Sequence, residues 1–149
     1  MATTTSLLAG VRVVDFTWIV AGPLCTKWLA AWGAEVIKID STRSRRDVGR
    51  GGAFSGMFFN NNPDKLSLAL NMQHPQAAEI VKRLFAVSDV VINNFTPDVL
   101  PRWGLSYQEL VQVNPQIISA SMPAMGSSGP RRHYKGTGNY FTSLAGFDY

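Results

Sequence analysis

The side chains able to do chemistry in this chain are few and unevenly placed. There is one cysteine, Cys25, and two histidines, His74 and His133, too far apart for any metal-ligand spacing, so no metal site is expected. Cys25 falls on the apolar face expected for the first helix, which reads as core and not as a thiol nucleophile. His133 stands alone in a loop and reads as a bystander. The basic side chains instead gather in two clusters, Arg43–Arg50 and Arg131–Lys135, which supply most of the formal charge of +4. Charge concentrated in two loops suits one anionic ligand better than a nucleic acid, whose footprint spreads along a face. No nucleic-acid motif is present.

These clusters need a scaffold, and Val11–Asp40 reads as its centre. A β-branched run, VRVVDF, is followed by a turn ending in Ala21-Gly22-Pro23, a Trp-rich segment, and a second β-branched run, EVIKID, closed by an acid. This is a β-α-β unit, which needs a parallel sheet and sets a helix start beside the end of a strand. Pro23 is expected at the first helical position, Leu24, Trp28, Leu29 and Trp32 form one apolar face expected to be buried, and Gly33 closes the helix. The turn lacks G-x-G-x-x-G, so a nicotinamide dinucleotide is not indicated. Asp40, the acid that closes the unit, stands where a ribose contact would.

From Ser41 to Asn62 no period holds. Arginines interleave with glycines, then come Phe54, Phe58 and Phe59 and three asparagines, and a long unpatterned stretch of this kind is more often functional than filler. Strands are expected at Leu66–Leu70, Asp89–Asn93 and Pro115–Ser121. Helices are expected from His74 to Phe85 with Ala78, Val81, Leu84 and Phe85 buried, near Asp98–Trp103, from Ser106 to Val113 behind a Ser106/Glu109 capping box, and from Asn139. Gly126–Gly138 reads as a loop. Strands alternating with helices define an α/β fold, a Rossmann-like, mainly parallel sheet with flanking helices. With 149 residues, this is one domain's worth of chain. The first residues lack the basic region of a signal peptide, no apolar run is long enough to span a membrane, and a lone cysteine suits a reducing compartment; the expected location is the cytoplasm.

Read in order, five blocks resemble the family III CoA-transferases, also called the CaiB/BaiF family. They are LAGVRVVDFTWIVAGP at Leu8–Pro23, GAEVIKID at Gly33–Asp40, DKLSLALNM at Asp64–Met72, DVVINNFTPDVLPRWGL at Asp89–Leu105 and NPQIISASMPAMGSSGP at Asn114–Pro130. Family members are longer. The resemblance implies that residues 1–149 are the N-terminal portion of a large domain, with a small domain and a C-terminal return lying outside this chain, and that pairs of chains interlock. It implies coenzyme A as a substrate, with no separate cofactor, and contacts from Val20, Ala21, Lys65, Asn94, Phe95 and Arg102. The plainer readings stand beside these: Asn94 as a turn residue, Lys65 as a solvated lysine, and Arg102 as a complement to its helix dipole.

The family's nucleophile is an aspartate nine residues after the glycine of a Gly-Pro pair and eight before a glycine in the next helix. Counting from Gly129 and back from Gly146 meets at Gly138, which has no side chain. The racemase branch's His-Asp pair would fall on Thr137 and Gly138 and is likewise absent. The resemblance therefore implies a subunit without a catalytic residue of its own, paired with a homologous aspartate-bearing partner, as in the heteromeric aryl-succinate CoA-transferases. It would act on an acyl-CoA and a carboxylic acid. The alternative reading is a CoA- or nucleotide-binding module with a structural or regulatory role and no turnover.

Overall fold

The computed structural model describes residues 6–41 and 56–147. The Arg43–Arg50 cluster and Phe54 lie outside the described residues.

Five short strands, β1 (Arg12–Asp15), β2 (Glu35–Ser41), β3 (Leu66–Leu70), β4 (Val90–Asn93) and β5 (Ile118–Ser121), form one sheet in the order β3-β2-β1-β4-β5. Each of its four pairings is parallel, with Val13 opposite Val36 on one side and Val90 on the other. The helices are α1 (Ala21–Ala31), α2 (Gly56–Asn61), α3 (Ala77–Phe85), α4 (Val99–Arg102), α5 (Tyr107–Val113) and α6 (Gly138–Leu144). Successive strands move outward from β1 through β2 to β3, then cross to the other side of β1 for β4 and β5. The order therefore reverses between β1 and β4, the switch point beside which open α/β sheets form their crevices.

Side chains alternate between the faces of β1, and each face has its own core. Val14 packs with Phe16, Val81, Phe85, Val91 and Leu110 beneath α3 and α5. Val13 packs with Ala30, Ala34, Val36 and Ile92 beneath α1. Ser106 caps α5: its Oγ accepts from the Glu109 amide while the Glu109 carboxylate accepts from the Ser106 amide at 2.7 Å, completing the expected capping box.

Three expectations are corrected. Helix α1 begins at Ala21, so Pro23 is its third residue and not its first; that position also lies within the first turn, where amides have no intrahelical partner. The buried face of α1 is Gly22, Pro23, Thr26 and Ala30. Small side chains at these positions let the helix approach the sheet closely, so the large ones, Leu24, Trp28 and Trp32, stay on the open side with Cys25; Trp28 and Trp32 are each about half exposed. Within the stretch expected to be unpatterned, Gly56–Asn61 is helical.

Candidate functional site

The crevice between β1 and β4 is shaped by the turn joining β1 to α1, Phe16–Val20, and by the segment after β4, Asn94–Asp98. Trp18 and Phe95 meet edge to face at 5.2 Å across it, and Phe95 meets Trp103 in the same way at 5.7 Å. This aromatic wall has a hollow on each side. One, of about 180 Å³, is lined by Ile39, Asp40 and Ser41 at the end of β2 and Leu70–Gln73 after β3. The other, of about 330 Å³, is lined by Asn94, Thr96 and Val99 and by Tyr134, Lys135 and Gly136 of the Gly-rich loop. His133 Nδ1 pairs with Asp98 at 2.8 Å, which ties that loop to the start of α4.

The turn itself has an unusual backbone. Ile19 has φ of 71°. For a β-branched residue this is strained, a conformation that persists only where the surroundings enforce it. Here they do so through local contacts and through side chains from three other segments. The Thr17 amide donates to Asp15 Oδ1 at 2.7 Å, and the Thr17 carbonyl accepts from Lys38 Nζ at 2.7 Å. Asn94 holds Trp18 twice, accepting from its amide and donating to its carbonyl, each at 2.8 Å. The Ile19 carbonyl accepts from Asn61 Nδ2 at 3.2 Å, and the Val20 carbonyl accepts from the Leu24 amide in the first turn of α1. On the helix side, Gly22 sits so close to Thr17 that a Cβ there would fall 2.2 Å from the Thr17 Cβ.

A buried charge cluster lies beneath the turn. Asp15 is fully buried; its Oδ2 accepts from Thr26 Oγ1 at 2.6 Å and pairs with Lys65 Nζ at 3.2 Å. The Lys65 ammonium also donates to the Pro23 carbonyl at 2.9 Å, Thr26 Oγ1 at 2.7 Å and Asn62 Oδ1 at 2.9 Å. Four protein oxygens thus surround three N–H donors, and the Lys65 side chain is only 2 % exposed. Burial lowers its pKa below the ordinary 10.5, a shift that the Asp15 carboxylate opposes.

The residues singled out from the sequence are thereby placed. Phe95 lines both hollows, and Asn94 lines the larger one while its side chain clamps Trp18. Val20 and Ala21 are exposed at the start of α1, and Arg102 is exposed on α4 with its Nε donating to the Asp98 carbonyl at 3.2 Å. Lys65 is not brought to either hollow; it lies within the fold, below the turn. Gly138 is the first residue of α6, two residues beyond Gly136 at the hollow's edge, and a Cβ added there would meet nothing within 4 Å. Asp15, Thr17, Thr26, Lys38 and Asn61 escaped the sequence reading. The signal was present in Lys38, a lysine flanked by Val36, Ile37 and Ile39 in the middle of β2, where its side chain is buried. Among the described residues, no three His, Cys, Asp or Glu side chains gather as a metal site would need, and no helix is long and apolar enough to cross a membrane.

A parallel five-stranded sheet with flanking helices and an aromatic-walled crevice at its switch point is an α/β architecture, and the sequence assigns it more closely. The chain belongs to CoA-transferase family III, whose model matches residues 8–149. It is 34% identical to the succinyl-CoA–L-malate CoA-transferase beta subunit of Chloroflexus aurantiacus, over 99% of this chain and 38% of that protein. It is 35% identical to the mouse succinyl-CoA:glutarate CoA-transferase, over 93% of this chain and 33% of that protein. Among solved structures, a CaiB/BaiF family protein from Brucella suis superposes with a TM-score of 0.86 at 32% identity, covering 95% of this chain and 40% of its own. A hypothetical protein from Mycobacterium tuberculosis gives 0.85 at 34% identity, covering 93% and 40%. The chain therefore spans about two fifths or less of the length of these relatives.

Proposed function

We propose that this chain is the N-terminal, CoA-holding portion of a family III CoA-transferase subunit, and that the nucleophilic carboxylate is supplied by a homologous partner. The observation that carries the second half is Gly138. By its spacing from Gly129 and Gly146 it stands where the resemblance puts the family's aspartate, two residues beyond Gly136 of the larger hollow, and it has no side chain with which to attack. The name of the Chloroflexus relative, a beta subunit, supports a heteromeric enzyme.

In the proposed binding mode the apolar pantetheine runs along the Trp18–Phe95–Trp103 wall, where its burial is favourable without charge pairing. Phe95 offers an aromatic surface, Val20 and Ala21 offer their backbone and small side chains at the start of α1, and Asn94 fixes the turn behind them. Arg102 and Lys135 supply positive charge around the crevice for phosphate groups. The small domain and the C-terminal return of the family fold lie outside this span, and the assembled enzyme works in the cytoplasm.

The chemistry proposed for the assembly follows the family. A partner carboxylate attacks the thioester carbonyl of the acyl-CoA, forming a mixed anhydride and releasing the CoA thiolate. The thiolate then attacks the anhydride at the enzyme's own carbonyl, expelling the first acid and leaving an enzyme-bound CoA thioester. The second acid repeats the two steps in reverse order and leaves as the new acyl-CoA. A crevice that keeps the thiolate within reach while excluding water favours transfer over hydrolysis.

The test is single-turnover reaction with succinyl-CoA, followed by hydroxylamine trapping and mass spectrometry of each subunit of the native-length enzyme. The adduct is expected on the partner and not on this chain. An acyl or hydroxamate adduct on this chain would remove the non-catalytic assignment. A Gly138→Asp variant is expected to become labelled, because the position has room for the side chain.

A further inference from the structure

Of the polar side chains beneath the crevice, three come from the segment entering β3: Asn61 at the end of α2, Lys65 just before the strand, and Asn62, which accepts from Lys65. We propose that Asn61 and Lys65 are positioning residues that hold the β1–α1 turn in its strained, binding-ready form, Asn61 directly and Lys65 through Asp15. This rests on the reading that the crevice holds CoA.

The geometry is specific. Ile19 is the strained residue of the turn, and the one side-chain donor on its carbonyl among the described residues is Asn61, itself only 4 % exposed. Lys65 does not touch the turn. It fixes the buried Asp15 carboxylate, whose other oxygen holds the Thr17 amide and hydroxyl, and it also binds the Pro23 carbonyl and Thr26 hydroxyl at the start of α1. The turn is thus gripped at both ends from one segment: at Ile19 and, across Asp15, at Thr17. Both contacts are internal, so neither residue spends a hydrogen bond on a ligand.

This arrangement has a functional consequence. Trp18 lies between the two gripped residues and lines both hollows. Loosening either grip lets Ile19 relax toward an unstrained backbone and moves Trp18 from the wall that the ligand meets. A preorganised wall binds more tightly because ordering has been completed before the ligand arrives. Lys65 therefore supports binding without being a phosphate ligand, and its replacement weakens affinity while leaving the charge dependence of binding intact.

The experiment combines amide hydrogen exchange with CoA titration on the native-length protein. Asn61→Ala removes the direct grip. Lys65→Met leaves Asp15 charged and unpaired, so Asp15→Asn/Lys65→Met serves as the neutral counterpart if the single variant folds poorly. In Asn61→Ala against the unmodified protein, and in the double variant against Asp15→Asn alone, exchange at the Thr17 and Trp18 amides should quicken about tenfold, the equilibrium equivalent of one good hydrogen bond. Exchange at Val13 and Val91 in the buried strands should be unchanged. Affinity for CoA should fall by a similar factor, and the salt dependence of CoA binding should be the same in the double variant as in the unmodified protein. Unchanged protection at Thr17 and Trp18 would overturn the proposal, as would lost protection with intact CoA affinity. A reduced salt dependence in the double variant would return Lys65 to the role of phosphate ligand. Should the unmodified protein bind no CoA, the functional reading fails by that result, while the exchange data still decide whether Asn61 and Lys65 hold the turn.

Discussion

Replacing Gly22 by alanine should unfold this domain far more readily than a methyl group ordinarily would. A Cβ at Gly22 would stand 2.2 Å from Thr17 Cβ and 2.4 Å from its Cγ2. Carbon atoms in contact prefer about 3.5–4.0 Å, so the start of α1 or Thr17 must move by more than about 1 Å. Thr17 is poorly able to yield. Its amide and hydroxyl both donate to Asp15, and its carbonyl accepts from Lys38. Displacing it sacrifices two or more hydrogen bonds at about 1 kcal/mol each, on top of about 1–3 kcal/mol for overpacking, so the expected loss is about 3–5 kcal/mol. Urea denaturation of the unmodified protein and the variant measures this directly. A double-mutant cycle with Thr17→Gly isolates the cause, because the alanine should cost less than about 1 kcal/mol once the opposing Cβ is gone. A loss below about 1 kcal/mol for Gly22→Ala in the unmodified background would refute the close-approach argument.

Other consequences are open to measurement. The pKa of Lys65 is lowered by burial, so between that lowered value and 10.5 the unfolded chain binds more protons than the folded one. Stability relative to a Lys65→Met variant should therefore rise with pH across that window, as followed by denaturant titrations at stepped alkaline pH; a falling difference would contradict the sign. Glu109 has its pKa lowered by the hydrogen bonds from Ser106, so its contribution is present above the ordinary 4.5 and is lost as pH falls through the depressed value. Ser106→Ala should cost about 1 kcal/mol at neutral pH and flatten that acid dependence, both readable by thermal melts. Phe85, fully buried and edge-on to Phe16 at 6.2 Å, should cost about 3–5 kcal/mol as alanine in a denaturant titration.

The sequence pattern located the central strands well, because β1 and β4, largely buried between the helices, write short apolar runs, while the exposed edge strand β5 begins at Ile118 and not at Pro115. Leu66–Leu70 has the bounds expected of it, and the Ser106/Glu109 box marks its helix start as anticipated. The face of α1 was misread because the segment is apolar nearly all round, and periodicity then favours the largest side chains. The deciding signal was the opposite one: Gly22, Thr26 and Ala30, small residues four apart, mark the side that packs closely. The short helix at Gly56–Asn61 carries no hydrophobic period of its own. The crevice was legible as a location but not as a mechanism. Asn94, which reads as a turn residue or a ligand contact, lines the larger hollow and also clamps Trp18 with two hydrogen bonds. Nothing local in the sequence links Asn61 to Ile19 or Lys65 to Asp15, since those pairings exist only once β3 lies beside β2.

Those long-range clamps also set the order in which the crevice can form during folding. The contacts that hold the turn join residues 76 apart for Asn94 and Trp18, 42 apart for Asn61 and Ile19, and 50 apart for Lys65 and Asp15. The local contacts of the turn, Thr17 to Asp15 and Val20 to Leu24, leave Trp18 and the Ile19 carbonyl to these distant clamps, each of which brings a loop-closure cost before it contributes. The β-α-β unit from β1 to β2 can therefore assemble early with a relaxed, wandering turn. Ile19 is therefore expected to settle into its left-handed conformation only after β3 and β4 have both docked, which makes the crevice a late product of folding, completed with the central sheet.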